Sequence, residues 1–147
     1  MMNYLEKLKK VLSEDRRKLV QSIEQARFTR DNSPSAMESH SDTTKSQYEK
    51  LVYALEQKLK ELDRMISHIP DKILTKSDVS LWQVVEFDLG ENKLTVMLVP
   101  EGFGGKKFDT VTTLAINTPL GSAIENKTIG KEFLFGDKKG KIIKILA

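Results

Sequence analysis

The chain has 147 residues, enough for one average domain or two small ones, and carries 24 basic against 21 acidic side chains for a formal net charge of +3. That balance is too slight to mark a nucleic-acid binder by charge alone, and the lack of cysteine excludes disulfides and thiolate metal sites. A charged fraction of 31% beside 39% hydrophobic residues suits an exposed helical hairpin joined to a small core.

Near Met1, Leu5, Leu8 and Leu12 are interleaved with charges, which is not a signal-peptide pattern. No apolar run approaches the roughly 20 residues that span a bilayer. The expectation is a soluble, cytoplasmic protein with no membrane partner. Over residues 1–30, Leu5, Leu8, Leu12, Leu19, Ile23 and Ala26 recur at three- and four-residue steps. They lay one apolar stripe on a helix whose other faces carry Lys7, Lys9, Lys10, Arg16, Arg17, Lys18 and Glu24. A second stripe of Tyr48, Leu51 or Val52, Leu55, Leu59, Leu62, Ile66 and Ile69 keeps the a/d spacing of a coiled coil.

Neither helix can bury so narrow a stripe alone, so residues 1–70 are predicted to form an antiparallel two-helix coiled-coil hairpin. Its tip, 31–42, is rich in turn and cap formers such as Asn32, Ser33, Pro34 and Ser35, with Ser41 or Asp42 as N-cap of the second helix. A helix of about thirty residues is roughly 45 Å long, which holds the tip far from the helix base. A hairpin of this kind equally serves as a dimerisation or adaptor element.

Pro70 ends the second helix, and 71–77 reads as a linker to a C-terminal domain at 78–147. Strands are predicted at 81–87, 94–99, 111–116, 132–135 and 142–146, with turn signals at Gly90-Glu91-Asn92 and Asp137-Lys138-Lys139-Gly140. Val84, Val85, Phe87, Leu94, Val96 and Leu98 supply apolar faces, and Trp82 is the largest core candidate. A twisted antiparallel sheet closed by one short helix at 120–126 makes the fold class α+β. Gly102-Phe103-Gly104-Gly105-Lys106-Lys107 lacks the ending of a phosphate-binding loop and reads as a flexible connection. Lys138, Lys139, Lys141 and Lys144 read as a solvated basic hairpin rather than an RNA site. With two histidines and no nucleophile–base pattern, an independent hydrolase is not indicated.

The segment Asn117-Thr118-Pro119-Leu120-Gly121-Ser122-Ala123-Ile124-Glu125-Asn126-Lys127, followed by Ile129-Gly130-Lys131-Glu132-Phe133, is a strand end, a Pro at the first helical position, one short turn and a Gly before another strand. It resembles the signature S-P-L-G-x-A-L-x-G-K-x-x-G-D of the GreA/GreB transcript-cleavage factors. Ile23-Glu24-Gln25-Ala26-Arg27, then Asp31, is similar to the I-A-E-A-R-x-x-G-D run that leads into the hairpin tip of that family.

The resemblance implies an FKBP-like C-terminal sheet that docks on bacterial RNA polymerase through Pro119 and Leu120. It implies a hairpin entering the secondary channel, with Arg16, Arg17, Arg27 and Arg30 contacting polymerase or RNA, and a monomer that meets the nascent RNA 3′ end only indirectly. It also implies that the chain has no cofactor of its own and shares a Mg²⁺ of the polymerase through tip acids. Such factors act through the nuclease activity of the polymerase and are not enzymes themselves.

The tip departs from the family. Three residues after Asp31 stands Pro34 where a Glu is expected, and the E-N-A-E-Y element is absent. Asp31, Glu38 and Asp42 are then the candidate catalytic and metal-contacting acids, Glu38 and Asp42 being four apart and able to share a helical face. Otherwise Asp42 caps a helix and Glu38 is solvated. His40 is the remaining tip ligand type. The competing expectations are a non-cleaving channel-binding inhibitor, a coiled-coil adaptor unrelated to polymerase, and an FKBP-like isomerase, which needs an aromatic-lined pocket.

Overall fold

In the computed structural model, which describes residues 2–33, 42–72 and 76–146 (42 and 43 by their backbone alone), Asn3 opens the first helix through a reciprocal cap. Its side-chain oxygen accepts the Glu6 N–H at 2.8 Å, and the Glu6 carboxylate accepts the Asn3 N–H at 3.3 Å. Two otherwise orphaned donors are thereby satisfied. The helix, α1, runs Tyr4–Asp31 and is followed by α2, Asp42–His68. At the end of α1, Asn32 and Ser33 turn their side chains back onto the carbonyls of Phe28 and Thr29 at 2.7 Å each. Such local bonds compete with further helix and end it.

The chain divides into two units: Lys9–His68, and the first helical turns through Leu8 together with the chain from Ile69 onward. Within the helical unit, Arg16 of α1 reaches Asp63 of α2 at 2.7 Å, and Arg27 reaches Glu56 at 3.1 Å. The later residue of α1 pairs with the earlier residue of α2, so the two helices run antiparallel. Leu12, Ile23 and Ala26 are buried and Leu19 half-buried, as their spacing predicts. On α2 the choice between Leu51 and Val52 falls to Val52, which is buried while Leu51 is 43% exposed. Met65 is buried too, although the predicted stripe passes over it.

The other unit is built on a six-stranded sheet: β1 (Val84–Asp88), β2 (Lys93–Val99), β3 (Lys107–Phe108), β4 (Val111–Ala115), β5 (Glu132–Phe135) and β6 (Lys138–Leu146), with α3 (Pro119–Ile124) after β4. Across the sheet the order is β3-β4-β2-β1-β6-β5. The class is α+β as predicted, but the sheet is not wholly antiparallel: β2 and β4 pair in parallel, with Val96 opposite Thr112 and Val99 opposite Ala115. The crossover between them is the glycine-bearing segment, which is tied down rather than a loose connection. Gly105 donates to the Thr113 carbonyl and Thr113 to that of Lys106, both at 2.8 Å. The buried Thr113 hydroxyl accepts from the Lys106 N–H and donates to the Phe103 carbonyl. Phe103 and Phe108 are buried beside it.

Strand alternation places Val85, Phe87, Val96, Leu98, Phe133 and Ile142 in one cluster with Val79 and with Ile124 of α3. Val84, Met97, Val99, Thr113 and Ala115 are buried on the opposite face. Phe87 meets Phe133 edge to face, ring centres 5.5 Å apart at 81°. A Cβ on Gly140, directly across from Phe133, would strike that ring. Gly140 therefore belongs to β6, and the predicted turn shifts to Gly136-Asp137.

Trp82 is not the core. It is half-buried and held at φ 69°, with its N–H on the Leu98 carbonyl at 2.6 Å. The buried Gln83 fixes this turn by accepting the Ser80 N–H at 3.0 Å and donating to the Lys76 carbonyl. β1 accordingly starts at Val84 rather than at 81. Leu94, predicted to face the core, is 40% exposed. Among the described residues no helix is long and apolar enough to cross a membrane.

Candidate functional site

Asp31 is the last residue of α1, where the unpaired carbonyls of a helix end make a carboxylate unfavourable and a cation favourable. The adjacent Arg30 answers that field: its Nε donates to Asp31 Oδ1 at 2.9 Å. The Asp31 side chain is 64% exposed and that of Arg30 29%. The hydrogen bond to Asp31 is the main cause that raises the Arg30 guanidinium above its usual value. Its partial desolvation opposes the shift, and the charges of Asp31 and then of Glu49 and Glu56 on α2 add to it. Arg30 thus sits in the field of acids on both helices.

The other basic residues expected to meet RNA or polymerase also face carboxylates of the hairpin. Arg16 is paired with Asp63, Arg17 with Glu14 at 2.5 Å, and Arg27 with Glu56. The Arg17 contact pulls the Glu14 carboxyl below its ordinary range. These partners escape a sequence reading because most lie 29 to 47 residues away. Glu38 and His40 lie outside the described residues, and Asp42 is the first residue of α2. Of the predicted site residues the structure brings Arg30 and Asp31 together. Among the described residues no three His, Asp or Glu side chains gather to hold a metal ion. Asp31 does fit the narrower task of lending one oxygen donor to a hard cation whose other ligands come from elsewhere, since it is exposed and anionic.

In the sheet unit, α3 presents the other predicted surface. Thr118 is its N-cap: the hydroxyl accepts the Gly121 N–H at 3.0 Å and donates to the Ala115 carbonyl at 2.7 Å. Pro119 takes the first helical position, where its missing N–H costs nothing, and it is exposed. Leu120 packs against the apolar cluster, so much of its surface serves the fold. Thr118→Ala should therefore lower stability by about 1 kcal/mol and Thr118→Ser by far less, read from urea unfolding midpoints.

The basic residues Lys138, Lys139, Lys141 and Lys144 lie within β6 rather than around a turn. Lys141 stands opposite Asp88 and Glu132, and Lys144 opposite Glu86. Acids interleave with the lysines, which leaves no uniform cationic stripe there.

No protein-family model matches this sequence, and no curated protein does. Among solved structures it is similar to GreA factor homolog 1 of Thermus thermophilus, at 15% identity and a TM-score of 0.42, covering 95% of this chain and 94% of that one. The corresponding protein of Thermus aquaticus gives 16% identity and a TM-score of 0.42 over 94% and 93%. A GreA/GreB prokaryotic transcription elongation factor from Nitrosomonas europaea gives 18% and 0.39 over 69% and 93%.

Proposed function

We propose that this chain is a Gre-type accessory factor of transcription elongation. It binds bacterial RNA polymerase as a monomer in the cytoplasm, with the hairpin tip in the secondary channel and the sheet unit docked outside through Pro119. The observation that carries this reading is one chain holding both parts: an antiparallel hairpin whose first helix stops at an exposed Asp31, and an α+β unit with a Thr118-capped Pro-Leu-Gly turn. A helix the length of α2, 27 residues, is about 40 Å long, a reach suited to a channel.

In this reading Asp31 projects a carboxylate toward the polymerase active centre and Arg30 holds that carboxylate in the free protein. A second Mg²⁺, when bound, stabilises the attacking or leaving oxygen of an in-line phosphoryl displacement. The chain's own part is to deliver negative charge and oxygen donors at the end of a rigid arm. Pro34, where the family has its second acid, favours as second reading a channel-binding regulator that does not stimulate cleavage.

The test is a transcript-cleavage assay on a backtracked elongation complex with Mg²⁺, comparing wild type with Asp31→Ala, Glu38→Ala and Asp42→Ala. Stimulated cleavage, lost in one or more variants, is the expected result and identifies the acids. Competition with a channel-binding factor without cleavage makes the protein a regulator. Neither cleavage nor binding overturns the polymerase reading in favour of a coiled-coil adaptor.

A further inference from the structure

We propose that Arg30 is a positioning residue that holds the Asp31 carboxylate away from divalent cations and frees it by turning toward the acids of α2. The proposal deepens the role given to Asp31 above and rests on it for its purpose, although its physical content belongs to the free protein. A guanidinium N–H and a hard cation compete for the same carboxylate oxygens, and Arg30 Nε already occupies Oδ1 at 2.9 Å. Consecutive residues on a helix do not face one another. The contact is therefore made by the long arginine side chain reaching around, not by a fit imposed by the backbone.

Arg30 also has somewhere else to go. Glu49 and Glu56 on α2 both act electrostatically on its guanidinium, and Glu56 already accepts from Arg27 at 3.1 Å, so acids of α2 are engaged by arginines of α1 in this stretch. Leaving Asp31 does not leave the guanidinium without a counter-charge. The helix end adds a further bias, because its partial negative charge attracts whichever cation is next to Asp31. With Arg30 gone, a metal ion meets that field without a competitor and without the repulsion of a fixed positive charge.

Paramagnetic broadening by Mn²⁺ alone, titrated into the free full-length protein and read at the Asp31 amide by NMR, tests this without polymerase. Arg30→Gln should steepen the broadening about two- to fivefold, the scale of a weak exposed ion pair. Asp31→Asn combined with Arg30→Gln should abolish the gain. Arg30→Lys keeps the charge but not the fork of donors, and should fall between wild type and Arg30→Gln. The proposal is overturned if Arg30→Gln broadens like wild type, if the gain survives in the double variant, or if Arg30→Lys equals wild type, which would reduce the effect to charge alone. Helicity by circular dichroism confirms that each variant keeps its hairpin. Absence of both cleavage and channel binding, with a positive Mn²⁺ result, would remove the polymerase reading and leave the Arg30 hold standing; the reverse pair of results would do the opposite.

Discussion

Phe87→Ala should destabilise the sheet unit by about 3–5 kcal/mol, the usual cost of emptying a fully buried aromatic site. Phe87 lies on β1, bonded on one side to β2 and on the other to β6. Its ring is fully buried, in edge-to-face contact with Phe133, which in turn covers the bare backbone of Gly140. Cutting the ring back to a methyl removes the apolar burial and the aromatic pair together, and Val85, Val96 and Ile142 are held by strand pairing and cannot close the space. A domain of this size is stable by about 5–15 kcal/mol, so the loss is a large share of the whole. Urea unfolding followed by the fluorescence of the single tryptophan, Trp82, which belongs to the same unit, reads it as a lowered midpoint. An unfolding free energy within about 0.5 kcal/mol of wild type would show that Phe87 is not central to the core.

Gly121→Ala carries the second large effect, and its sign is diagnostic. Alanine is better than glycine inside a helix by about 1 kcal/mol, so propensity alone forecasts a gain. Here a Cβ at position 121 would run into the carbonyl oxygen of Ala115 and crowd the Thr118 hydroxyl. Those are the groups that form the cap: the Thr118 hydroxyl bridges the Ala115 carbonyl and the Gly121 N–H. The obstacle is backbone of β4 rather than a movable side-chain end, so relief requires α3 to lift from the sheet. A net loss of about 1–3 kcal/mol is expected, in the range of overpacking. If the chain docks on polymerase through Pro119 as proposed, its affinity for polymerase should fall with stability, because Pro119 rides on the same turn. A stabilised Gly121→Ala protein would mean that α3 is seated less closely than its contacts imply.

The hairpin was legible because two apolar stripes of helical period stand out against charged faces. The period could not choose between Leu51 and Val52, since adjacent residues on α2 both lie near the seam. It also passed over Met65, whose flexible side chain fills space off the strict a/d positions. In the sheet, alternation located most strands but not their directions. The parallel pairing of β2 with β4 depends on a crossover whose glycines look like slack in one dimension and are fastened by Thr113 in three. The two-residue β3 is too short to show any period.

Trp82 misled because size suggests burial, whereas a left-handed backbone and the buried amide of Gln83 make that position a turn. Gly140 misled in the other direction: glycine suggests a turn, but here it makes room for the Phe133 ring. At the hairpin end, the stop of α1 near Asp31 could be read from the run of turn formers that follows, whereas Asp31 itself was singled out only by the family resemblance. The pairing of Arg16 and Arg27 could not be read, because it depends on which acids of α2 arrive beside them.

The strand order also sets a timetable for synthesis. β1 ends at Asp88, and its neighbour β6 begins only at Lys138. At about 5–20 residues per second, a ribosome leaves β1 with one open flank for roughly 3–10 s after β1 has emerged. β2 and β4 are complete well before then, so the nascent sheet waits with an apolar strand at its margin. Glu86 and Asp88 alternate with Val85 and Phe87 along that strand, and charges on an open edge discourage the addition of a foreign strand. The same two acids that later stand opposite Lys144 and Lys141 would thus protect the unfinished chain from its neighbours on a polysome.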